Sequence, residues 1–558
     1  MTLPENGRAT DDRRAGADEQ FERLVSDRFH AQMARHPVWA TYLGITDHDG
    51  RLADGSREAM LHDIADAHAH LAALEMIDPS ALSAANAVER ELALFAIRRE
   101  LFDAETHRVW DRRASATDEI GDGVFLLLAR GSRPLAERLA DIASRLEAAP
   151  AAMAEHLTRL GERPPVRLWN EMELEAAESL PALFGEVIAA ARGAPGYDGA
   201  IVGRLERAAE RAGAALTDYA DAIRRQLAGA TDAFALGRAE YDELIGLRAF
   251  DGLATDDILQ IGEEQLAYNH EQRRAVAHEI DPTASEDEVV ARVKSDHPAD
   301  FDGALAGYRE AMDAARQFVI DKDIASMPAG ETLSVIATPE YLRKVMPFAA
   351  YFGPAKFDAA ERKGIYIVTP SVDEDPAAMR EHNHASIWNT SIHEAYPGHH
   401  LQLTAALDHP SLVRLLIDAP EFVEGWAMYC EQMMREEGFD TAPEHRLMMY
   451  TDAIWRACRI ILDIRLHRGE VTPAEAVDFL VGHTGFERPN AQAEVNRYTY
   501  TPSYQLSYLL GKVLLLRLRD DERRRLGDGF SLRGFHDALL GEGSLPISFQ
   551  RRLLAARG

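Results

Sequence analysis

From about residue 17 to residue 325 the apolar residues recur at three- and four-residue spacing, a pattern that only helices can bury on one side. "FERLVSDRFHAQMARH" (21–36) and "AVERELALFAIRRELFDAE" (87–105) show it plainly. The breaks fall at Pro-Gly punctuation such as "RGAPGYDG" (192–199), and no fixed-period repeat is present. Residues 1–16 are polar and are expected to form a disordered arm. The texture changes at 330–370, where "ETLSVIATPEY" and "GIYIVTP" are rich in β-branched and aromatic residues. These runs predict one small antiparallel sheet set into a mostly α protein. The helical pattern then resumes near 376 and continues almost to the end. The expected organisation is an N-terminal arm (1–16), a helical region (17–325) and a catalytic region (326–558), forming one continuous body.

Composition narrows the partners. Ninety-two acidic against 61 basic residues give a formal charge of -31, which repels nucleic acid and anionic membrane rather than steering them in. Hydrophobic residues make up 46% of the chain, enough for a substantial core, yet no apolar run approaches the roughly 20 residues of a membrane span. The two cysteines, Cys430 and Cys458, lie in apolar helical contexts and read as buried free thiols. The N-terminal segment carries charges throughout and no apolar stretch of the kind that directs secretion, so a cytoplasmic location is expected. A homodimer is compatible with this reading.

The chemistry concentrates in "HEAYPGHH" (393–400). A straight helix advances about 100° and 1.5 Å per residue, so His399 would face away from His393, and His400 would lie about 10 Å along. Neither pair would then share a metal. Pro397, however, lacks an N–H, and its ring clashes with the carbonyl of His393 in a continuous helix; Gly398 adds freedom for a kink. If Pro-Gly bulges outward, His399 recovers the place of the second histidine in an uninterrupted His-Glu-x-x-His motif. A third ligand is offered by "EFVEGWAMYCE" (421–431), in which Glu421, Glu424, Met428 and Glu431 share a helix face. Spacing alone does not choose between Glu421 and Glu424; with Glu424 as ligand, Glu421 would orient a histidine from behind. His382, His384 and His409 read as ordinary local enrichment.

"HEAYPGHHLQ" is similar to the signature of the domain of unknown function 885 family, helical proteins classed as candidate zinc metallopeptidases. The resemblance extends to "EGWAMYCE" (424–431), "LDIRLHRGEVTPAEAVDFL" (462–480) and "RYTYTPSYQLSYLLGK" (497–512), and so covers the C-terminal third. More distantly, the Gly-His after His-Glu and the "FVEGW" segment resemble the zinc-binding segments of the thimet oligopeptidase and carboxypeptidase Taq families. Carried residue by residue, the resemblance implies one zinc ion on His393, His399 and Glu424. The family often has a glutamine where this chain has Tyr504, a departure that bears on substrate rather than metal.

Such a site implies a peptidase acting on short peptides. Glu394, beside a ligand, is the expected general base. Tyr508 is the expected oxyanion donor, Arg497 a clamp for a substrate carboxylate, and His400 a further substrate contact. Asp463 and His467, four apart on a helix, read most simply as an i,i+4 pair. The segment 347–368 is the expected sheet edge to which a peptide adds. Three other uses of the same residues stand beside this one: a zinc amidase or deacylase on a small metabolite, a non-haem iron enzyme, and a non-catalytic peptide-binding protein with a structural metal. Glu394 separates the hydrolases from the iron enzyme, which has no obvious use for that base. An open coordination position separates an enzyme from a structural site.

Overall fold

The computed structural model describes residues 5–129, 133–194, 198–338, 349–358, 362–370, 378–417 and 419–557. It is mostly helical with one small three-stranded sheet, as the periodicity predicts. The first four residues of the expected arm lie outside the described residues, and a helix spanning Glu5–Arg35 covers the rest of it. The helices Ala116–Ala129, Leu135–Leu157, Arg167–Gly193 and Gly199–Leu227 enclose a core of their own. The largest core instead draws on residues from Val166 to Leu554, so the helices Arg238–Arg248, Thr255–Ile280 and Phe301–Asp321 pack directly into the region that carries the histidines. Among the described residues no helix is long and apolar enough to cross a membrane.

The sheet has strands β1 (Thr332–Ala337), β2 (Ala349–Phe352) and β3 (Lys363–Val368) in the order β1-β3-β2. The expectation of antiparallel pairing holds for β2 with β3, where Tyr351 faces Tyr366. It does not hold for β1 with β3, which run parallel. The long connection between them makes this allowable, since parallel neighbours need a crossover of about a dozen residues or more. Among the described residues β2 is an edge strand.

Six helices build the site and are numbered here in chain order: α1 (His384–Glu394), α2 (His399–Ala406), α3 (Pro420–Glu436), α4 (Pro443–His467), α5 (Arg488–Tyr498) and α6 (Ser507–Leu526). Asn383 caps α1, accepting from Ser386 N at 2.9 Å, and proline opens α3 and α4 in the one turn where its missing N–H costs nothing. Helix α3 crosses α6 at glycines: a Cβ on Gly425 would meet Gly511 backbone at 2.5 Å, and one on Gly511 would meet Glu421 O at 2.0 Å. This backbone contact sets the glutamates of α3 against the tyrosines that begin α6. Cys430 and Cys458 are free and buried, as expected.

Candidate metal centre

Helix α1 stops at Glu394 and α2 begins at His399, so the chain leaves the helix over residues 395–398. Pro397 offers no N–H there, and Gly398 N reaches back to Ile392 O at 3.1 Å. The position admits only glycine, because a Cβ would stand 1.9 Å from His393 O. The displaced turn is pinned from below by the Trp426 indole, which donates to Pro397 O at 2.8 Å. The result brings the rings of His393 and His399 edge to face, with centroids 4.8 Å apart.

Glu424 of α3 completes a cluster with these two histidines, one ligand atom from each lying within 4.8 Å of the others. Glu424 Oε2 is 3.4 Å from His399 Nε2 and 3.9 Å from His393 Nε2. Ligand atoms on a tetrahedral zinc with bonds of about 2.0–2.1 Å stand about 3.3 Å apart. The two glutamate–histidine separations are near this, the widest separation in the cluster is at most 4.8 Å, and two imidazoles with one carboxylate are a donor set of the kind that suits Zn²⁺. His393 Nδ1 lies 2.7 Å from Glu431 Oε1, and Glu431 Oε2 accepts from Asn389 at 3.1 Å. A proton held on Nδ1 leaves the Nε2 lone pair facing Glu424, the usual arrangement behind a metal-binding imidazole. His399 Nδ1 is buried without a hydrogen-bond partner among the described residues.

The electrostatics favour a cation. Burial alone would lower the His393 imidazolium, yet Glu431, Glu394 and Glu424 together hold it up to about 9. Burial alone would raise the Glu424 carboxyl, yet the contacts with His399 and His393 bring it down to about 2. Glu394 is partly exposed beside His393, and its side chain makes no hydrogen bond to a described residue. Its charge acts, after burial, to push the Tyr308 and Tyr351 phenols up.

The tyrosine segment reaches the cluster through Tyr504, whose hydroxyl donates to Glu424 Oε1 at 3.1 Å. Tyr508 packs edge-on against it at 6.1 Å between centroids and lies under the Arg459 guanidinium at 4.7 Å. Burial, then the Glu424 charge, pushes the Tyr508 phenol up, so it stays a proton donor. The loop holding these tyrosines is tied down from behind. Asp463 accepts from Tyr241 Oη at 2.5 Å and Ser503 N at 2.7 Å, and His467 Nε2 bonds Tyr498 O at 2.9 Å. Asp463 and His467 therefore do not form the i,i+4 pair that their spacing predicts; each has a partner on another segment.

Three further expectations change. His400 is fully buried, with Tyr351 Oη at 2.9 Å from Nδ1 and Glu331 Oε2 at 2.8 Å from Nε2, so it braces the sheet against α2 and does not line the cavity at Glu424. Glu421 does not orient a histidine: it is paired with the buried Arg248 at 3.0 Å, and Glu431 has the orienting position. Arg497 is engaged by Glu494 at 3.1 Å, in a network with Arg459 and Tyr498, rather than free to clamp a carboxylate. His382, His384 and His409 stand outside the cluster. Glu431 was readable as the residue one heptad past Glu424 on the same face. Tyr504 was visible only as a departure from a family pattern.

A cavity of about 320 Å³ reaches the cluster at Glu424 and is lined also by Tyr504, by Tyr351 and Phe352 of β2, and by Leu403 and Val423. Part of the expected edge 347–368 lies outside the described residues; its strand β2 lines this cavity.

Over residues 37–554 the sequence matches the family described as "Bacterial protein of unknown function (DUF885)". The chain belongs to this family. No curated protein matches it in sequence. Two solved structures share its fold across nearly their whole length. One, described as a "putative lipoprotein of unknown function" from Shewanella oneidensis, is 23% identical, with a TM-score of 0.79 over 96% of this chain and 99% of that one. The other, from Colwellia psychrerythraea and also described as a lipoprotein of that standing, is 18% identical, with a TM-score of 0.83 over 97% of this chain and 99% of that one.

Proposed function

We propose that this DUF885 protein is a zinc-dependent peptidase that hydrolyses short peptides. The observation that carries the reading is the convergence of His393, His399 and Glu424 on one point, at a cavity shared with an edge strand, with Glu394 unengaged beside them. The likeness of the same segments to the zinc-binding segments of the thimet oligopeptidase and carboxypeptidase Taq families supports it.

His393, His399 and Glu424 would hold the metal, with Glu431 fixing the His393 ring and Tyr504 fixing the Glu424 carboxylate. A bound Zn²⁺ supplies a water acidic enough to attack at neutral pH and polarises the scissile carbonyl. Glu394 takes the proton of the attacking water and hands it to the amide nitrogen as the C–N bond breaks. Tyr508, kept protonated by burial and the Glu424 charge, donates to the carbonyl oxygen as negative charge grows on it. The substrate backbone pairs with the free edge of β2, and its side chains meet Phe352, Leu403 and Val423.

The test is metal analysis of protein purified without chelator, together with cleavage of unblocked, N-blocked and C-blocked peptides. The expected result is about one zinc per chain and cleavage that a chelator abolishes and zinc restores. Zinc at that stoichiometry with turnover only of small non-peptide amides would move the function to an amidase or deacylase. Stoichiometric iron, or no hydrolysis of any amide, would overturn it.

A further inference from the structure

A second cavity, of about 560 Å³, lies between the helix Thr255–Ile280 and helices α3, α4 and α6, outside the metal cluster. Its charged lining is Arg435, Glu436, Arg446, Lys512, Arg517 and Asp520. Three of these are already neutralised: Arg435 by Asp440 at 2.8 Å, Glu436 by Arg519 at 2.8 Å, and Arg446 by Glu279 at 2.6 Å. Lys512 is different. It is only 7% exposed, and its ammonium makes no hydrogen bond or ion pair with a described residue. A buried ammonium without a counter-ion is strongly disfavoured. Burial pushes this one down from its ordinary value, Glu431 and Glu436 oppose that, and Arg435 adds to it. The exposed Arg517 adds a second cation that forms no ion pair with a described residue, and Asp520 is the lining carboxylate that likewise forms none with a described residue. In a chain of formal charge -31, a cavity with a spare buried cation is a specific feature.

We propose that this cavity binds a small organic oxyanion, whose phosphate or carboxylate head pairs with Lys512. The volume exceeds what an inorganic anion fills and falls within the roughly 300–1,000 Å³ of small-molecule sites. Tyr268, Met449, Tyr450 and Leu516 line the same space and would hold an apolar or aromatic body. The binding itself does not depend on the peptidase reading.

The experiment is titration calorimetry of the full chain with phenyl phosphate, benzoate and neutral benzamide. Binding of phenyl phosphate or benzoate at one site per chain, with benzamide silent, is expected, and the stronger of the two identifies the head group. Folded Lys512→Met should lose roughly tenfold or more in affinity, while His399→Ala should keep it, separating this cavity from the metal cluster. If Lys512→Met does not fold, Arg517→Glu at the exposed rim reads the same charge and should weaken binding several-fold. No binding of either anion, equal binding of benzamide, undiminished binding in folded Lys512→Met and Arg517→Glu, or loss of binding in His399→Ala would each overturn the proposal.

Discussion

Buried carboxylates are used in two ways in this molecule. In the N-terminal bundle, Glu173 is wholly buried and fully satisfied: Arg113 donates to Oε2 at 2.9 Å, while Tyr219 Oη at 2.7 Å and Thr117 N at 3.1 Å donate to Oε1. A guanidinium cancels its charge, and its geometry joins three segments. Around His393 the pattern reverses. Glu424, Glu431 and Glu394 converge on two imidazoles, and among the described residues no arginine or lysine forms an ion pair with any of them. The first arrangement holds a fold together. The second concentrates negative charge at the proposed metal site.

The largest effect separates the histidines. His393→Ala or His399→Ala should abolish stoichiometric zinc and hydrolysis together, whereas His400→Ala should keep its zinc and lose only stability. Zinc retained in His399→Ala and lost in His400→Ala would reverse the assignment made from the displaced turn.

Next comes the contrast between the two regions. Glu173→Ala should cost about 3–5 kcal/mol of stability, because it leaves Tyr219 Oη and Thr117 N without their acceptor and Arg113 with only the half-exposed Asp118, and should leave metal content unchanged. Glu424→Gln should do the opposite, losing metal with little loss of metal-free stability. Denaturant titration and metal analysis of both variants decide it; equal destabilisation with metal retained would erase the distinction.

Tyr508→Phe should lower kcat by about 10²-fold or more with KM nearly unchanged, as for a donor that acts on developing charge. Kinetics indistinguishable from wild type would return Tyr508 to packing under Arg459. Glu431→Gln should have the smallest effect, weakening zinc affinity by about 10–100-fold without removing the site. Unaltered affinity by competition with a metal indicator would mean that the 2.7 Å contact does not tune the ligand.

The helical class was legible because apolar spacing is a local property, and the Pro397–Gly398 break because proline and glycine act on their own backbone. The candidate triad was half legible in residue spacing: the displaced turn follows from two residues, but spacing left Glu421 and Glu424 open, the family resemblance pointed to Glu424, and the physical reason is the buried Arg248 that claims Glu421. What sequence missed is non-local. Parallel pairing of β1 with β3 depends on a connection whose path has no local signal. Glu331, 69 positions before His400, takes that histidine out of the site. Asp463 and His467 look like a helical pair until Tyr241 and the 498–503 loop arrive from distant segments.

The most direct test of the central claim is Glu394→Gln, with zinc content and peptide cleavage measured on the same preparation. The substitution keeps the shape beside His393 and removes the basic carboxylate. The account predicts about one zinc per chain, an unchanged fold, and hydrolysis reduced by roughly 10²–10⁴-fold. A Glu394→Gln protein that holds its zinc and still cleaves peptides at near the wild-type rate would contradict it.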